Sequence, residues 1–96
     1  MRRAARTDAN QTAIVAALRA AGASVQHLHA VGEGCPDLLV GLRGKNYLVE
    51  IKDGAKSPSQ RGLTPDQQAW HLLWRGDPVT VLHSVEQAIY WAHTCG

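Results

Sequence analysis

Apolar residues recur at helical spacing over residues 8–21, where Ile14, Val15, Leu18 and Ala21 make one stripe. Asp8 stands at the cap position of this predicted helix, with Gln11 three residues on as a capping-box partner, and Gly22 stops it. Residues 24–31 alternate instead, which predicts a strand with Val25, His27 and His29 on one face. Gly32, Glu33 and Gly34 read as a turn. Two more strands are predicted, over 37–42 and 47–53, joined by the hairpin-like loop 43–46. In the second of these, Tyr47, Val49 and Ile51 share one face, and Leu48, Glu50 and Lys52 share the other.

The stretch 54–62 is basic and rich in turn residues. A helix follows, with Thr64 as cap, Pro65 in the first turn and Gln67 three residues after the cap. Its apolar stripe is Trp70, Leu73 and Trp74, expected to enter the core, and Gly76 and Pro78 end it. A strand over 79–83 and a helix over 85–93 complete the order α-β-β-β-α-β-α, the pattern of an α/β sandwich.

Composition narrows the class. The chain has 96 residues, 45% hydrophobic and 19% charged, which suits one small globular domain and excludes collagen, coiled coil and disorder. No apolar run reaches the roughly 20 residues of a membrane helix. The start is basic, with no apolar stretch behind it to make a signal peptide. Residues 1–7 are expected to form a flexible arm carrying Arg2, Arg3 and Arg6, and residues 8–96 the single domain. Cys35 and Cys95, sixty positions apart, are expected as free thiols in a reducing cytoplasm. A net charge of +2 permits a nucleic-acid partner without requiring one.

Three residues carry the candidate chemistry. Asp37 opens one strand of the predicted hairpin, and Glu50 and Lys52 lie two apart on the other, so the two acids can meet across the pair. Adjacent carboxylates repel, and a divalent cation relieves them. Such an ion activates water, and a nearby lysine stabilises negative charge on a phosphate. The set suits metal-dependent phosphodiester hydrolysis. The rival reading is an ion pair on an exposed sheet face. His27 and His29 lack a third ligand at zinc spacing.

Pro36-Asp37 followed by Glu50-Ile51-Lys52 resembles the PD-(D/E)xK nuclease motif. The stretches GCPDLLVG, YLVEIKDG and LTPDQQAWH resemble, more narrowly, the VRR-NUC (virus-type replication-repair nuclease) domain in its minimal stand-alone form. The resemblance spans about residues 8–92 and implies a restriction-endonuclease-like core, a mixed sheet flanked by helices. It implies that Asp37, Glu50 and the backbone carbonyl of Ile51 hold Mg²⁺ or Mn²⁺, that Lys52 is the catalytic lysine, and that Gln67 organises the site. Gln67 has a second reading as the partner of its helix cap.

Where the family carries a metal-binding glutamate on the first helix, this sequence has none. Asn10 and Gln11 occupy that region, Gln11 being the better candidate, with Asp8 nearby, and a neutral amide is a weaker ligand. Arg43, Lys45, Lys56 and Arg61 are candidates for phosphate contacts, which position DNA without reading its sequence. The resemblance implies a homodimeric endonuclease for branched DNA such as Holliday junctions. Its setting would be replication, recombination and repair in a bacterial or phage-infected cell. A non-catalytic DNA-binding module, or a nuclease subunit directed by a partner, are the alternatives.

Overall fold

The computed structural model describes residues 8–95. The proposed basic arm lies outside the described residues. The elements are α1 (Gln11–Ala20), β1 (Ser24–His27), β2 (Leu38–Leu42), β3 (Lys45–Ile51), α2 (Pro65–Leu73), β4 (Thr80–Leu82) and α3 (Val85–Thr94). A short 3₁₀ turn, His29–Val31, follows β1. The order is the α-β-β-β-α-β-α that the hydrophobic pattern predicts. No helix among the described residues is long and apolar enough to cross a membrane.

The strands form one sheet in the order β1-β2-β3-β4. The first three are antiparallel, and β4 runs parallel to β3, which makes the sheet mixed. Arg43 and Gly44 make the tight turn between β2 and β3. Both have positive φ, 51° and 81°. That conformation matches the twist of the flanking strands. Arg43 is held in place by a bond from its guanidinium to the Cys95 carbonyl.

One face of the sheet is sealed by α1 and α3. Leu38, Val40, Val49, Ile51 and Leu82 from the strands pack with Ile14 and Leu18 of α1 and Ala88 and Ala92 of α3. Each strand places alternate residues on this face. The alanines let the two helices approach closely. Asn10, just before α1, donates its side-chain amide to the carbonyls of Lys52 (3.3 Å) and His83 (3.0 Å), tying the helix start to the ends of β3 and β4.

Three expectations are corrected. The strand predicted to Val31 ends at His27: the Leu28 N–H donates to the Asp37 carbonyl at 2.7 Å, and the chain then turns into the 3₁₀ segment. His27 and His29 therefore do not share a strand face, although their rings meet edge-to-face. Helix α1 begins at Gln11, and Asp8 contributes to it with its backbone carbonyl and not with a side-chain cap. The α2 stripe does not enter the core. Leu73 is 74% exposed and Trp74 48% exposed, because the core face is already covered by α1 and α3. Trp70 and Trp74 instead stack on each other, with centroids 4.5 Å apart and planes 14° from parallel.

Candidate active site

The β2–β3 register pairs Leu38 with Val49, so one step further along Asp37 stands opposite Glu50. The Asp37 carboxylate accepts the Ile51 N–H at 2.7 Å and so fastens the end of β3. Glu50 is 1% exposed and Lys52 8% exposed, so neither is a surface charge. A buried carboxyl group and a buried ammonium are tolerated only when each finds partners.

Gln67 supplies those partners. Its Nε2 donates to Glu50 Oε2 at 2.9 Å, and its Oε1 accepts from Lys52 Nζ at 2.7 Å. The same Oε1 accepts the Thr64 N–H at 2.9 Å, while Thr64 Oγ1 accepts the Gln67 N–H at 3.3 Å. The cap of α2 and the bridge between acid and lysine are therefore one device. An amide side chain carries both a donor and an acceptor, so it can donate to the carboxylate and accept from the ammonium at once.

Gly34 sets how closely α2 approaches. Its φ is +85°, and a Cβ there would stand 2.3 Å from the Asp66 carbonyl oxygen. A side chain at this position would push the first turn of α2, and Gln67 with it, away from the sheet.

Asp37, Glu50, Lys52 and Gln67 open into a cavity of about 340 Å³, whose wall also includes Asp8, Lys56 and Gln60. Burial, then the Asp37 charge and a hydrogen bond shared with Asp37, push the Glu50 carboxyl up to about 9; Lys52 opposes the shift. Burial, then Glu50 and Asp37, raise the Cys35 thiol. Burial and the Lys52 ammonium lower His71.

The remaining candidates separate. Gln11 is buried beside His27, 3.5 Å from its Nδ1, and is not in the cavity wall. Asp8 is in that wall, 3.8 Å from Lys56 Nζ, and its charge adds to the rise of Glu50. Of the four candidate phosphate contacts, Lys56 lines the cavity. Arg61 donates to the Gly54 carbonyl at 3.0 Å. Arg43 and Lys45 lie at the other end of the hairpin, about 16 Å along β3 from Glu50. Asn10, the second candidate for the place of the helix-one glutamate, is a strut to the Lys52 and His83 carbonyls, and sequence reading missed Gln60 as a wall residue. Neither sits in a motif, and only the fold brings them to the site.

Among the described residues no group of three or more His, Cys, Asp or Glu is placed to hold a metal ion. The donor set is two carboxylates and backbone, which fits Mg²⁺, an ion that takes one or two carboxylates and otherwise water and phosphate. Glu50 Oε1 is buried without a hydrogen-bond partner, a vacant acceptor of the kind a cation satisfies.

No family model matches the sequence. No curated protein matches it either. A solved structure described as a VRR_NUC domain is similar to it, with 32% sequence identity over 90% of this chain and 92% of that one, and a TM-score of 0.67. By that identity and coverage the chain belongs to the VRR-NUC family, a nuclease-family domain of restriction-endonuclease-like fold.

Proposed function

We propose that this chain is a Mg²⁺- or Mn²⁺-dependent endonuclease that hydrolyses DNA phosphodiesters, with branched DNA such as a Holliday junction as its substrate. The observation that carries the reading is the Glu50–Gln67–Lys52 bridge, which holds an acid and an ammonium at one cavity mouth. Asp37, Glu50 and the Ile51 carbonyl would hold the ion. When bound, it supplies Lewis acidity toward a phosphate oxygen and the attacking water. Lys52, oriented by Gln67, neutralises charge that develops on the phosphate. Asp37 keeps the end of β3 in place through the Ile51 N–H. Lys56 attracts the flanking phosphate.

A homodimer fits this reading. Two copies related by a twofold axis present two cavities for two strands. Leu72 on α2 is 83% exposed, apolar surface that a second copy would cover.

The test is cleavage of a labelled four-way junction, with a plain duplex as control, in Mg²⁺ and in Mn²⁺. Wild type is expected to cut the junction, and Lys52→Ala to lose at least about a hundredfold in rate while still binding. Binding without cutting by wild type would replace this reading with a non-catalytic DNA-binding module.

A further inference from the structure

A second cavity is distinct from the one that holds the acids. It measures about 420 Å³ and lies between α2 and the outer face of the sheet. Trp70 and Trp74 line it from the helix, and Leu39, Tyr47 and Leu48 from the strands. That volume lies within the roughly 300–1,000 Å³ of small-ligand sites. Its polar lining residues include Asn46 and Asp77, and among the described residues no lysine or arginine lines it. A phosphate has no partner there, whereas a flat aromatic ring with polar edges does.

The cavity neighbours the acid site. Cys35 lines both it and a small pocket of about 160 Å³ whose wall includes Asp37 and Gln67. Helix α2 serves both sites: Gln67 bridges the acid and the lysine, and Trp70 follows one turn later. On β3, Leu48 lies two residues before Glu50 on the same face, and Asn46 four before, about 13 Å along the strand. A strand whose phosphate rests at Glu50 thus has a base within reach of the tryptophans.

We propose that this cavity is a nucleobase subsite. It takes one unstacked base of the substrate strand, one or two nucleotides from the scissile phosphate, against Trp70 and Trp74, with Asn46 and Asp77 at the base edge. The inference rests on the nuclease reading for its register to the cut. Such a site selects DNA with an unpaired or easily unstacked base, which branched structures offer and continuous duplex does not.

Two measurements test it. In the first, substrates carry a single abasic residue at successive positions on each side of the mapped cut. One position is expected to raise the wild-type KM roughly five- to hundredfold with little change in kcat. Trp70→Leu, and the blocking variant Asn46→Trp at an exposed edge, are expected to raise KM on intact DNA and to be indifferent to that abasic residue. Equal response of wild type to every abasic position, or variants as sensitive as wild type, overturns the proposal.

The second needs no cutting. Tryptophan fluorescence is titrated in EDTA with a single-stranded oligodeoxynucleotide and with an abasic oligomer of equal length. Quenching by the first and not the second supports the subsite even if no DNA is cleaved. Equal response to both overturns it and leaves the nuclease reading standing on its own assay. A change in oligomeric state of Trp70→Leu or Asn46→Trp also overturns it, and assigns the cavity to contact between copies of the chain.

Discussion

Replacing Glu50 by glutamine isolates the electrostatic strain of the site. The ordinary carboxyl value is 4.5, and burial together with Asp37 pushes Glu50 up to about 9. Between those values the unfolded chain carries an ionised Glu50 and the folded chain a protonated one. The folded state then holds one proton more, so stability is full below the unfolded value and falls as pH rises toward the folded one. Each unit of pH in this window costs about 1.4 kcal/mol. From about pH 5.5 to about pH 8.5 the metal-free wild type should therefore lose about 4 kcal/mol relative to Glu50→Gln. That is a large part of the roughly 5–15 kcal/mol that holds a domain together.

The variant keeps the shape of the side chain but has no charge to bury. The assay is urea unfolding in EDTA at several pH values for both proteins. Mg²⁺ or Mn²⁺ should restore wild-type stability at high pH and leave Glu50→Gln much less affected, because the ion replaces the missing proton. Parallel stability–pH curves, with the difference constant to within about 1 kcal/mol, would refute the reasoning.

Gln67→Ala removes the partners of Glu50 and Lys52 and one hydrogen bond of the α2 cap, and should cost about 2–4 kcal/mol in denaturant unfolding. Gly34→Ala meets the Asp66 carbonyl at a left-handed backbone position; a loss of about 2–4 kcal/mol and a lower melting temperature are expected, with cleavage falling as Gln67 shifts. Asp8→Asn should raise the Mg²⁺ concentration for half-maximal cleavage about three- to tenfold, since Asp8 contributes negative charge to the cavity without replacing Asp37 or Glu50.

The elements and their order were legible in the pattern of residues. Period two over β2 and β3 placed Val49 and Ile51 inward and Glu50 outward, and Thr64-Pro65 with Gln67 specified the start of α2. Those are local properties: spacing, cap chemistry and turn chemistry act within a few residues. That Asp37 and Glu50 can meet across the hairpin was legible too, but its register was not: the loop read as residues 43–46 closes as the two-residue turn of Arg43 and Gly44, β3 starts at Lys45, and this shift sets Asp37 opposite Glu50.

What the sequence left open depended on contacts between distant segments. Gln11 and Asp8 were both candidates at one helix start, and only the packing of α1 turned Gln11 toward His27 and left Asp8 in the cavity wall. Arg43 and Lys56 are equivalent as charges on loops, yet they lie at opposite ends of the sheet. The α2 tryptophans carry a core-like stripe. Whether that stripe is buried depends on how much apolar surface the other helices cover, and α1 and α3 had already sealed one face. Periodicity states which residues share a side of an element. Only the assembled fold decides whether another element, water or a ligand lies against it.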